Sequence, residues 1–249
     1  MQPISLQVRQ APRHRAGGFT LIELSVVLFI LTLLFAGALT PLTQQLAERQ
    51  NTQTRRNLEA VQSALIGYAL SHRDADGHPY LPCPDLRQPL AGGTANDGRE
   101  DRKPDGGCLG PTGNSPWISL GVPETDAWGN HFTYAVSPAY AHSGHGMSLR
   151  PASQAELRIC LDRDCATHMQ AAAVLISHGR NGLGAINQIG RMNQAATAAD
   201  EQENTDGDLR FVYRPPAALG RPGGEFDDLG LVLSAEYLLG RLCGPEMGC

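Results

Sequence analysis

The chain has 249 residues, enough for one ordinary domain plus an anchor. Its 20 basic and 25 acidic residues give a net charge of −5, and Lys103 is the only lysine among the basic ones. That balance weighs against nucleic-acid binding as the task of a globular part. The chain opens on a short leader with Arg9, Arg13 and Arg15 and no acid. After Gly17-Gly18 comes an apolar run from Phe19 to about Leu39, 21 residues in which Glu23 is the only charge. A helix of that length spans about 30 Å, the hydrocarbon thickness of a bilayer, so the spacing predicts a membrane helix. A lone carboxylate inside lipid costs roughly 2.5 kcal/mol or more, so Glu23 needs a compensating partner. A secretory signal has an apolar core of about 7–15 residues ending in a small-residue cleavage site, whereas this run is longer and carries its acid near the start.

Gly18, Phe19 and Glu23, with Thr20-Leu21-Ile22 between them, resemble the class III signal of type IV pilins and type II secretion pseudopilins. In that family a prepilin peptidase cuts after the Gly and methylates the new amino terminus. The resemblance implies a leader at 1–18, cleavage between Gly18 and Phe19, and an assembly role for Glu23, whose carboxylate can pair with the Phe19 amine of a neighbouring subunit. Without the leader, 17 basic and 25 acidic residues leave a net charge of −8. The leader's arginines keep the amino-terminal side cytoplasmic, so the rest lies across the membrane in an oxidising space.

Pro41 follows the apolar run and is expected to bend or locally melt the helix. The polar stretch Gln44 to Asn57 is free of Gly and Pro. Leu58, Val61, Leu65, Tyr68 and Ala69 then recur at helical spacing, a stripe expected to lie on a sheet. The helix should end near His72, before Asp74-Ala75-Asp76-Gly77 and Pro79. The domain reading is therefore a leader at 1–18, a long helix at 19–72 that is transmembrane to about 40, and an extracytoplasmic globular domain at 73–249.

Residues 73 to 116 are rich in Gly, Pro, Asp and Asn and read as a long irregular connection that needs a staple. Leu81-Pro82-Cys83-Pro84-Asp85 resembles a segment that follows the helix in a subset of the same family. Asp97, Asp101 and Asp105 lack the spacing of a calcium loop and read as a solvated acidic loop. Strands are expected at Trp117 to Leu120, His131 to Val136, Glu156 to Leu161, Ala171 to Ser177, Leu209 to Tyr213 and Leu229 to Leu233. The polar stretch from Asn187 to Asp208 reads as a mobile insertion. Ser234 can cap a last short helix through Arg241. One long helix, then loops, then strands implies an α+β class with an antiparallel sheet wrapped on the helix, which is also the pilin fold.

Six cysteines, at 83, 108, 160, 165, 243 and 249, suit disulfides in an oxidising space. Proximity favours Cys160 with Cys165 and Cys243 with Cys249, leaving Cys83 with Cys108, although fifteen pairings are possible. The absence of a C-x-x-C pair argues against structural zinc on these cysteines.

Asp126-Ala127-Trp128-Gly129-Asn130 resembles the D-P-W-G-N segment of major pseudopilins, with Ala127 in place of Pro. Read from the residues alone it is a tight turn into a strand with Trp128 as a core plug. Ser177-His178-Gly179-Arg180-Asn181-Gly182 resembles the S-x-G-x-D-G loop of the same proteins, which holds calcium together with a later acidic segment. The resemblance implies Asn181, Asp227 and Asp228 as calcium ligands, with Asn181 standing where the family has Asp. Turn chemistry at Gly179 and Gly182 is the alternative. His142-Ser143-Gly144-His145 reads as a Gly-rich loop with exposed imidazoles.

No nucleophile elbow, zincin helix or phosphate loop occurs, so no enzyme is expected. The whole reads as a pseudopilin or minor pilin of a type II secretion pseudopilus or type IV pilus, resident in the inner membrane with a periplasmic domain. Its implied partners are prepilin peptidase, other pilin subunits and an inner-membrane assembly platform. The alternative is a ligand-binding module at a filament tip, which a groove lined by residues 81 to 116 would favour; a membrane-tethered enzyme would need a site the sequence does not show.

Overall fold

Helix α1 occupies Leu21–Ser71, 51 residues in all, and runs unbroken through position 41, so the helix is not locally melted at Pro41. In the computed structural model, the described residues are 18, 20–147 and 156–242. Phe19, most of the leader and the Cys243 and Cys249 pair lie outside them, as do the side chains of 36–42. Among the described residues no helix is long and apolar enough to cross a membrane. The expected span thus rests on positions at both of its ends that fall outside the description. The chain divides into two units, Met1–Ala47 and Glu48–Cys249.

In the first unit the apolar side chains of α1 from Leu21 to Phe35 are all exposed, among them Phe29 and Leu34. In the second unit the predicted stripe is buried: Val61 and Ala69 are wholly inaccessible, and Leu58, Leu65 and Tyr68 nearly so.

The strands are β1 (Thr112–Asn114), β2 (Thr133–Val136), β3 (Leu157–Cys160), β4 (His168–Ala171), β5 (Ala173–Ser177), β6 (Arg210–Val212) and β7 (Leu229–Leu233). Four of them form an antiparallel sheet in the order β1-β2-β5-β7. The other three form a second sheet, β4-β3-β6, in which β3 and β6 run parallel. This differs from the expected single antiparallel sheet. A parallel pair needs a long crossover, and the chain between β5 and β6 supplies it.

The alternation along β2 and β5 shows why two sheets are needed. Tyr134, Val136, Ala173 and Leu175 join the core with the α1 stripe, Phe132, Leu233 and Leu238. Ala135, Val174 and Ile176 point the other way, into a second core with Leu157, Ile159 and Phe211. Every residue of β5 is buried, as a strand covered on both faces must be. At roughly 1.5–3 kcal/mol per fully buried large apolar side chain, these two layers supply most of the drive to fold.

Trp117–Leu120 is a one-turn helix, α2, and not the expected strand. Gly121 closes it at φ 66°, and the Gly98 carbonyl accepts the amides of Ile118 and Ser119. The Trp117 ring fills the space beside Gly98, where a Cβ would sit 2.4 Å from the indole. A second short helix, α3, spans Pro138–Ala141.

The connection from 73 to 116 is irregular but anchored. Cys83 and Cys108 stand at disulfide distance, with Cα atoms 5.2 Å apart. Asp101 is buried and accepts the amides of Leu86 and Thr94, so this acid is a structural pin and not part of a solvated loop. Leu81, Cys83 and Asp85 are packed inside, and residues within 103–111 line part of a cleft of about 330 Å³ together with Val136, Pro138 and His142.

The stretch from Asn187 to Asp208 is folded, not a mobile insertion. It contains helix α4 (Ala199–Glu203), which buries Asp200, Glu201 and Glu203. Arg214 pairs with Asp200 at 2.7 Å and Arg210 with Glu203 at 2.8 Å, so two of these buried acids each face a cation. The last helix, α5 (Ala235–Leu242), begins as predicted: the Ser234 Oγ accepts the Tyr237 amide at 3.2 Å.

Candidate functional site

The start of α1 carries a reciprocal cap. The Thr20 amide and hydroxyl both donate to Glu23 Oε2 at 2.9 Å, and the Glu23 amide donates back to Thr20 Oγ1 at 3.2 Å. This is the capping box that T-x-x-E before an apolar run specifies, a signal present in the sequence but not used above. It satisfies two of the helix's orphan amides and places a negative charge at the positive end of the helix dipole. Gly18 is exposed just before it. Phe19 lies outside the described residues.

The residues expected to hold calcium do meet. Asp227 and Asp228 each bring an oxygen within 4.8 Å of the other's and of Glu201. Glu201 was not singled out from sequence, because it sits in the stretch taken as an insertion. Asn181 contributes differently from expectation. Its side-chain amide donates to both Glu201 oxygens, at 3.2 and 3.3 Å, and its carbonyl accepts the Leu183 amide. It therefore braces the acidic group and does not offer it an oxygen. Its backbone amide donates to Asp227 Oδ2 at 2.9 Å.

Gly179 sets this approach. It adopts φ 57°, and a Cβ there would lie 2.3 Å from the Asp227 carbonyl oxygen, so only glycine lets the two loops touch. The neighbouring His178 is fully buried, 3.7 Å from Asp228 Oδ1 through Nδ1 and 2.6 Å from Thr133 Oγ1 through Nε2. Asn204 holds the other oxygen of Asp228 at 2.7 Å.

The group is electrostatically uneasy by itself. Burial, then repulsion from Asp228, pushes the Glu201 carboxyl up to about 7. Burial is also the main cause that raises Asp227 to about 6. Asp227 Oδ1 is buried with no hydrogen-bond partner. Three converging carboxylates, one with an orphaned oxygen, fit a hard divalent cation, which takes roughly six to eight oxygens.

The turn Asp126 to Asn130 is as read from sequence. Asp126 Oδ1 accepts the amides of Trp128 and Asn130, Gly129 is at φ 82°, and Trp128 packs partly buried against the main core. Ser177 donates to Asp126 at 2.6 Å and ties this turn to the end of β5. Of the remaining cysteines, Cys160 and Cys165 are paired, with Cα atoms 4.9 Å apart at the end of the β3–β4 hairpin.

Residues 13–39 match the family model described as the prokaryotic N-terminal methylation motif, the signature of the type IV pilin and pseudopilin family. The motif covers only this N-terminal segment; it supports a type IV pilin-like protein, and the fold that follows it is α+β. No curated protein and no solved structure matches the chain.

Proposed function

We propose that the chain is a structural subunit, a pseudopilin or minor pilin, of a type II secretion pseudopilus or type IV pilus. Prepilin peptidase removes residues 1–18 and methylates Phe19. The apolar half of α1 holds the protein in the inner membrane until its neighbours in the filament replace the lipid, with the domain after it in the periplasm. The observation that carries this reading is the methylation motif at 13–39 ending in an apolar helix whose described side chains are exposed from Leu21 to Phe35. Exposed apolar surface of that extent calls for lipid or for other helices. The work is mechanical, with Glu23 pairing with a neighbour's amino terminus, and no reaction is assigned.

Calcium at Glu201, Asp227 and Asp228 belongs to the same proposal. It would neutralise the acidic group and lock the loop after β5 to the segment before β7. The test of the main reading is assembly in the native host. The parent protein should appear in the sheared filament fraction, and Glu23→Leu should remain in the membrane with secretion or piliation lost. Filaments containing Glu23→Leu at the parent level would contradict it.

A further inference from the structure

We propose that Thr133 and His178 are positioning residues for the cation assigned to Glu201, Asp227 and Asp228: they form a buried polar row that fixes the Asp228 carboxylate. The inference rests on calcium belonging at that site, and it adds two residues that touch no cation themselves.

The row runs across one end of the four-stranded sheet. Asn114 of β1 pairs with Thr133 of β2, and Thr133 with Ile176 of β5. Ser177, which ends β5, pairs with Leu229, which starts β7, so the same register sets His178 beside Asp228 one step further on. Thr133 and His178 are wholly inaccessible, and Asp228 nearly so. The sheet thus brings a hydroxyl, an imidazole and a carboxylate together away from water, where polar contacts are stronger than in solvent.

Hydrogen bonds give the row a direction. Arg87 enters from the long connection after α1. Its Nε donates to Asn114 Oδ1 at 3.2 Å, and its Nη2 donates to Thr133 Oγ1. A guanidinium has no acceptor, so this contact occupies a lone pair of the hydroxyl. The Thr133 O–H remains, and it meets His178 Nε2 at 2.6 Å. With the O–H donating to Nε2, the imidazole carries its hydrogen on Nδ1. A hydrogen on Nε2 would instead leave that of Thr133 without an acceptor. Nδ1 faces Asp228 Oδ1 at 3.7 Å and has no hydrogen-bond partner among the described residues. It is therefore a donor held against that oxygen and not a metal ligand. Asn204 donates to the other oxygen, Oδ2, at 2.7 Å, and is itself fixed by accepting the Val212 amide at 2.7 Å. Both oxygens of Asp228 face donors, and each keeps a lone pair for a cation. Donors placed behind a ligand in this way orient it before the metal arrives.

The test measures Ca²⁺ affinity by calorimetry and metal-free stability by thermal unfolding, on the full-length chain in detergent, stripped of metal. Thr133→Val keeps the branched shape and removes the hydroxyl. It should weaken Ca²⁺ binding by about tenfold or more, while Thr133→Ser, which keeps the hydroxyl, stays close to the parent. His178→Leu should lose as much as Thr133→Val. His178→Asn, whose side-chain amide can donate from near the place of Nδ1, should recover part of that loss. The control is Thr54→Val, at a buried hydroxyl away from the row that accepts the Ala127 amide; it should leave Ca²⁺ affinity unchanged. A merely structural role would lower the metal-free melting temperature and leave affinity as it was. Parent-like affinity in Thr133→Val and His178→Leu therefore overturns the proposal while leaving calcium at the three carboxylates standing. An equal loss in Thr54→Val also overturns it. Absence of Ca²⁺ binding by the parent removes the cation and the row's role together.

Discussion

Glu23 in the unassembled chain is already engaged, by Thr20 of its own helix. Pairing with a neighbour's amine therefore competes with a local cap, and the two roles separate by mutation. Thr20→Ala removes the cap, a loss of about 1 kcal/mol at the helix start, but keeps the carboxylate. Glu23→Leu removes both. If Glu23 serves assembly, Thr20→Ala should still form filaments while Glu23→Leu should not, as read by the sheared fraction. Equal failure would reduce Glu23 to a helix cap. The acidic group at Glu201 yields a second residue-scale expectation. Its folded carboxyl, at about 7, lies above the usual 4.5, and that of Asp227, at about 6, lies above 3.8. A raised acid makes the folded state hold protons that the unfolded chain has lost, so stability falls as pH rises between those values. Buried Asp85, also pushed to about 7, adds to the same slope. With chelator, the melting temperature should fall from pH 5 to pH 7.5, and added Ca²⁺ should restore part of it in the parent but not in Asp227→Asn. A calcium-independent melt at pH 7.5 would remove calcium from the account. Asp227 and Asp228 were legible in the sequence through a loop resemblance. Glu201 was not, because Asp227 lies 26 residues downstream and Asn181 20 residues upstream, and only the fold brings them together.

At the scale of elements, the long connection after α1 is held by the Cys83–Cys108 pair, 25 residues apart, and the β3–β4 hairpin by Cys160–Cys165, 5 apart. The chain-entropy model assigns about 3.5 kcal/mol to the first loop and about 2 kcal/mol to the second. Replacing Cys83 and Cys108 together by Ser should therefore lower stability in denaturant more than the same change at 160 and 165. The reverse order would show that the connection is held by its buried hydrogen bonds, such as those to Asp101. The strands were mostly legible because each reads as alternation or as a short apolar run. Trp117 to Leu120 reads equally as a strand, and the glycine contacts that make it a helical turn come from Gly98, far upstream. The parallel pairing of β3 with β6 left no local trace. It depends on a folded crossover whose polar composition resembles that of a loop, since two of the buried acids of α4, Asp200 and Glu203, pair with arginines and the third, Glu201, accepts from Asn181.

At the scale of the whole molecule, the proposal joins an apolar helix start to an acidic domain carrying most of the net charge. Everything about assembly follows from one covalent event at the junction of Gly18 and Phe19, since only the cut exposes the amine that Glu23 of a neighbour is proposed to meet. The most direct measurement is the mass of the mature amino terminus. Co-expressed with a prepilin peptidase, the chain should lose residues 1–18 and begin at a singly methylated Phe19, and Gly18→Ala should leave the precursor uncut. An amino terminus elsewhere, or an unmodified precursor in the presence of active peptidase, would contradict the account.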